Sequence, residues 1–109
     1  MNLDTANSIY KNVTEAQVRE VFRDERLRGE FSILLRSKWQ FIQAAGEDDD
    51  GYILEYRDGE GKDCHFRAAG EYTKAQVEQA FIHYLNNDNR WFSDFTWQKY
   101  EIKPWWKFW

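Results

Sequence analysis

The residues best suited to chemistry in this sequence are few. One cysteine and two histidines are present, and Cys64 and His65 are adjacent. A thiol beside an imidazole suggests a nucleophile and its base, but the base must lie within hydrogen-bond reach of the sulfur. The pair falls in a strand-like run, where successive side chains point to opposite faces. Cys64 is therefore expected to be a small core residue and His65 a half-exposed strand residue near Arg67. His83 falls outside the apolar stripe of its helix and is expected in solvent.

Metal chemistry fares no better. A zinc site would have to recruit carboxylates, and no ligand pair shows helical or C-x-x-C spacing. The run Glu47-Asp48-Asp49-Asp50 offers oxygen ligands, but a calcium loop alternates its ligands between two helices, whereas these acids are contiguous and lie between strands. Carboxylates are too plentiful for any pair to stand out as a glycosidase couple. No glycine-rich phosphate loop, G-x-S-x-G or HExxH is present. No cofactor or metal is expected.

Two features remain as candidate partner-binding sites. One is the acidic run, Glu47, Asp48, Asp49 and Asp50, whose competing reading is a solvated loop. The other is the tail, where Trp105, Trp106, Phe108 and Trp109 supply four aromatics in the last five residues. Rings in that number are costly to leave in water. They can fold back on the domain's own sheet, meet a partner, or join two copies of the chain. Trp beside Lys also suits a membrane interface, but the net charge of −4 opposes anionic lipid.

Charge placement narrows the partner class. The window from Glu47 to Asp63 holds eight acids against Arg57 and Lys62, so it carries −6 and the remainder +2. Nucleic-acid binders gather Lys and Arg on one face. Here the concentrated charge has the wrong sign, and no nucleic-acid partner is expected.

The elements that must position these residues follow from periodicity and capping. Residues 1–12 are polar and read as a loosely held lead-in. Thr14-Glu15-Ala16-Gln17 is a capping box that starts a first helix, stapled by Val13 and Val18. Val18, Val21 and Phe22 form its apolar stripe, with Glu15–Arg19 and Asp24–Arg28 as outer i,i+4 pairs. Gly29 stops it. Phe31–Arg36 and Trp39–Ala45 flank a Ser37-Lys38 hairpin turn, and Gly46–Gly51 is a loop. Tyr52–Arg57 and Lys62–Ala69 flank Asp58-Gly59-Glu60-Gly61, a stronger turn signal. Tyr52, Leu54 and Tyr56 share one face by the strand period, as do Cys64, Phe66 and Ala68.

A second capping box, Thr73-Lys74-Ala75-Gln76, opens a helix whose buried face is Val77, Ala80, Phe81, Tyr84 and Leu85. Asn86–Asn89 ends it. A last strand, Phe95–Ile102, precedes Pro104 and the aromatic tail at 103–109. Thr14, Ala16, Gln17, Val18 and Phe22 recur 59 residues later as Thr73, Ala75, Gln76, Val77 and Phe81. Duplication of a helix–strand unit would produce this echo, and so would two copies of common capping chemistry.

These elements predict one α+β domain over residues 1–109: helix, four-stranded antiparallel meander, helix, final strand. The sheet has about five strands, with both helices on one face. Aromatic residues at 18% imply thick apolar contacts or an interface. A lone cysteine excludes an internal disulfide and points to a reducing compartment. The start MNLDTANSIY shows no signal peptide, and no apolar run is long enough to span a bilayer. The expected location is cytoplasmic.

Phe41-Ile42-Gln43, Leu54-Glu55-Tyr56-Arg57-Asp58-Gly59, the capped helix, and Trp91 and Trp97 together resemble small uncharacterised bacterial domains, some of them predicted immunity proteins of polymorphic toxin systems. The resemblance covers about the last two-thirds of the chain and transfers no site residues. It implies a stoichiometric binder without chemistry of its own, whose clustered acids would oppose a basic toxin surface. The reading is a non-catalytic protein-binding module. Its alternatives are a small enzyme or ligand-binding domain with an aromatic pocket, and a self-associating structural protein.

Overall fold

The computed structural model describes residues 1–100. The tail candidates Trp105, Trp106, Phe108 and Trp109, and the end of the last expected strand, lie outside the described residues. Seven strands form one antiparallel sheet in the order β2-β1-β3-β4-β5-β6-β7. They are β1 (Asn2–Thr5), β2 (Ile9–Tyr10), β3 (Phe31–Ser37), β4 (Gln40–Glu47), β5 (Gly51–Asp58), β6 (His65–Ala68) and β7 (Trp97–Lys99). Four helices accompany them: α1 (Glu15–Arg23), α2 (Glu25–Arg28), α3 (Lys74–Leu85) and α4 (Arg90–Ser93). The chain is α+β, as predicted, with two more strands and two more short helices than expected.

The lead-in is the main correction. Residues 2–5 form a paired strand between β2 and β3, with Leu3 opposite Leu34 and fully buried. Thr5 hid this strand because it puts a polar residue at a core position. Its hydroxyl donates to the Leu27 carbonyl at 2.7 Å, which removes the usual penalty for burying it.

Both capping boxes form as read. Thr14 and Gln17 exchange bonds of 3.2 and 3.0 Å, and Thr73 and Gln76 bonds of 3.2 and 2.9 Å. The first helix breaks at Asp24, which caps the end of α1 and the start of α2. Asp24 therefore pairs with Arg26, leaving Arg28 to turn inward. Gly29 closes the segment at φ 65°, a conformation that suits glycine.

The β3–β4 turn is Lys38-Trp39, one residue later than predicted, because a bulge at Arg36 shifts the register. The bulge sends the Arg36 guanidinium to the Tyr84 carbonyl at 3.1 Å and over the Tyr84 ring. The β4–β5 turn shrinks to Asp48-Asp49-Asp50, since Glu47 pairs with Gly51. Gly46 is required here: a Cβ would sit 2.2 Å from the Gly51 carbonyl oxygen.

Alternation divides the sheet. Leu34, Ile42, Ala44, Tyr52, Leu54 and Tyr56 face the helices, where they meet Val18, Val21 and Phe22 of α1 and Val77, Ala80 and Phe81 of α3. Phe22 and Phe81 meet edge to face at 5.1 Å, fixing the two helices to each other. Around Tyr56, the rings of Phe66, Trp91, Phe92 and Trp97 close the end of this core. The opposite face carries no helix among the described residues.

Candidate partner-binding surfaces

The acidic hairpin is not a uniform solvated loop. Asp48 accepts a bond from the Tyr52 hydroxyl at 2.6 Å and sits 3.5 Å from both Arg28 and Lys74. Arg28 is 3% exposed, and its guanidinium also donates to the Phe22 carbonyl at 2.8 Å. Three elements thus converge on one carboxylate. The Tyr52 hydrogen bond leads in holding Asp48 below the usual carboxylate range, with burial opposing it and the Lys74 and Arg28 charges assisting. Burial first, and then the bond to Asp48, push the Tyr52 phenol up to about 12. Glu47, Asp49 and Asp50 remain exposed, and Glu71 stands exposed nearby. Among the four acids of the run, Asp48 is the one tied to these partners, although its side chain too is 49% exposed. The hollow between this hairpin and the start of α3 is wide and open, lined by Asp49, Asp50, Glu71 and Lys74 among others.

The second surface is the bare face of the sheet, where the register brings together residues that the sequence leaves apart. Glu55 pairs across the ladder with Gln43 on one side and Arg67 on the other. Its Oε1 accepts from Gln43 at 2.6 Å and from His65 Nε2 at 3.0 Å, and its Oε2 accepts from Arg67 Nε at 2.7 Å. Burial is the largest single influence on Glu55 and would raise its pKa. The bonds from His65, Gln43 and Arg67 together outweigh burial and bring the carboxyl down to about 2. An ionised carboxylate accepting from three side chains is poorly disposed to take up a further proton. Beside it, Phe31, Ile33, Ala45 and Ile53 line a groove of about 220 Å³. That is less than the few hundred Å³ typical of a small-molecule site.

Three sequence expectations change here. His65 is 1% exposed rather than half-exposed, because Glu55, Phe41 and Tyr100 surround it; its Nδ1 has no hydrogen-bond partner among the described residues. His83 is 6% exposed rather than solvated, because α4 packs against α3; its Nε2 lies 3.0 Å from the Gln79 amide. Cys64 falls in the β5–β6 turn rather than in a strand, with its sulfur packed against Gly59, and is partly exposed rather than core. Among the described residues Cys64 makes no hydrogen bond to either histidine. No three His, Cys, Asp or Glu side chains gather as a metal site among them either, and no described helix is long and apolar enough to cross a membrane.

The Glu55 cluster is the feature that sequence reasoning missed. Its one legible signal is phase: Glu55 alternates out of the Tyr52-Leu54-Tyr56 face, and His65 and Arg67 are two apart on one strand. Comparison of the chain with protein-family models, curated proteins and solved structures finds no match.

Proposed function

We propose that this domain is a protein-binding module with no chemistry of its own, and that its partner presents a basic surface. The observation that carries this reading is the anchoring of the acidic hairpin through Asp48. With Asp48 held by Tyr52, Arg28 and Lys74, the hairpin's shape is set before any partner arrives. Exposed Glu47, Asp49, Asp50 and Glu71 then present negative charge on a fixed backbone. A pre-ordered charged surface loses less entropy on binding than a mobile one, and it steers an oppositely charged partner during approach.

The sharpest form of the proposal is toxin neutralisation in the cytoplasm, in keeping with the sequence resemblance to predicted immunity proteins. Affinity capture from a lysate of the source cells tests it with two baits, the parent chain and Asp49→Asn/Asp50→Asn/Glu71→Gln. Asp48 is kept in both, so the anchor is intact. A basic protein held stoichiometrically by the parent at low salt, and lost from the variant, supports the reading. Equal capture by both baits, insensitive to salt, rejects it.

A further inference from the structure

An antiparallel sheet with one face in water alternates apolar and polar residues along its strands. The middle strands of this sheet do not. Opposite the helices, β3 presents Phe31, Ile33 and Leu35, β4 presents Phe41 and Ala45, and β5 presents Ile53. Phe31 is 41% exposed, and Ile9, beside Asp4 on the edge strand β2, is 74% exposed. Apolar surface that runs across neighbouring strands in this way is seldom left open in a soluble monomer.

The charges on this face say what would cover it. Asp4, Ile33, Gln43, Glu55 and Arg67 stand in one row across β1, β3, β4, β5 and β6. Because β4 is the middle strand of the seven, Asp4 lies two strands to one side of it and Arg67 two strands to the other. The Asp4 carboxylate has no hydrogen bond or ion pair among the described residues. Arg67 is paired with Glu55, yet its side chain is still 36% exposed. Arg57 adds a second cation on the Arg67 side.

A second copy laid face to face about a two-fold axis along β4 exchanges the two sides. Each Asp4 then meets the other copy's Arg67, and each Phe31 meets the other copy's Ile53. Phe41 and Ala45, on the axis, meet their own counterparts. Packed sheets stand about 10 Å apart with strands within about 30° of each other, and the small Ala45 leaves room for that approach. A two-fold axis across the strands would instead set each charged strand against its like, which is repulsive. The charge pattern therefore selects the first arrangement. Its cost is Glu47, which also lies on β4 and faces its own counterpart at the end of the interface.

We propose that the helix-free face joins two copies of this chain in a symmetric dimer about β4, with apolar contact at its centre and an Asp4–Arg67 pair on each side. This does not depend on the acidic hairpin being a partner site. Sedimentation equilibrium of the full chain over a dilution series tests it, with circular dichroism to show that each variant is folded. The parent should be a dimer that dissociates on dilution, and Ala45→Arg, at an exposed position on the axis, should be a single chain. Asp4→Lys should weaken the dimer about tenfold or more, since it sets like charges together on both sides. Glu47→Gln should tighten it by removing the opposed carboxylates, whereas Asp49→Asn/Asp50→Asn should leave it unchanged. In a Cys64→Ser chain, a short bis-maleimide should join copies through Ala45→Cys but not through Ala16→Cys on α1. A parent that remains a single chain at every concentration would overturn the proposal, whether the face is then covered by another protein or by residues 101–109 of the same chain. A dimer that persists undiminished in both Ala45→Arg and Asp4→Lys would overturn it as well, because the contact would lie elsewhere.

Discussion

On the helix side of the sheet, Leu34, Ile42 and Leu54 are wholly buried against Phe22, Val77 and Phe81, and apolar volume does most of the holding. On the bare side, the same three strands contribute Ile33, Gln43 and Glu55, and the most buried of these three is a carboxylate. One set of strands thus makes two surfaces of different physics, separated only by the phase of alternation. The helix side should answer to changes of shape and size. The bare side should answer to pH and charge, and tolerate lost volume.

The largest expected effect is on the helix side. Phe81→Ala should destabilise the domain by about 3–5 kcal/mol, as for a buried aromatic that cannot be replaced by collapse. Ile53→Ala on the bare side should cost only about 1 kcal/mol, since Ile53 is partly exposed already. Chemical denaturation ranking Ile53→Ala above Phe81→Ala would reverse the assignment of the two faces.

Arg28→Met comes next, at about 2 kcal/mol, because it strips the Phe22 carbonyl and the Asp48 carboxylate of a charged donor while keeping much of the packing. A neutral or stabilising outcome would mean that the buried guanidinium is a burden on the fold and that the hairpin holds its shape without it.

The bare side makes a pH prediction. The Glu55 carboxyl is lowered in the folded chain, from an ordinary 4.5 to about 2. Its contribution is therefore fully present above about pH 4.5 and is lost as pH falls toward 2. After discounting for solvent screening, that contribution is about 2 kcal/mol. The stability of the parent should fall more steeply than that of Glu55→Gln across this window. Parallel curves would show that Glu55 gains nothing from its three donors.

The smallest effect belongs to the hairpin. Asp49→Ala should alter stability by no more than about 0.5 kcal/mol, whereas Asp48→Ala should cost about 1 kcal/mol through the lost Tyr52 bond. Thermal denaturation giving the two equal costs would remove the distinction between anchor and exposed acids.

Much of this architecture is legible in the sequence. Thr14–Gln17 and Thr73–Gln76 located both principal helices, and Tyr52, Leu54 and Tyr56 declared their face, because capping and alternation are local. What escaped detection depended on distant partners. Thr5 reads as a loop residue until the Leu27 carbonyl is placed above it. His65 reads as half-exposed until Glu55, ten residues earlier, is brought opposite by the β5–β6 register. Asp48 is indistinguishable from Asp49 and Asp50 in sequence, and the Tyr52 hydroxyl, Lys74 and the inward turn of Arg28 after the break at Asp24 single it out. The short helix α4 follows the same pattern: its aromatics find their place through Tyr56 and Tyr84 rather than through local periodicity.

The claim most exposed to refutation is that the exposed acids of the hairpin recruit a basic partner while Asp48 only holds them in place. Stopped-flow association of a captured partner with the parent and with Asp49→Asn/Asp50→Asn, across a series of salt concentrations, tests it directly. The account predicts that the variant associates about tenfold more slowly at low salt, with a flatter salt dependence and a nearly unchanged dissociation rate. Equal association rates for parent and variant at low salt would contradict it.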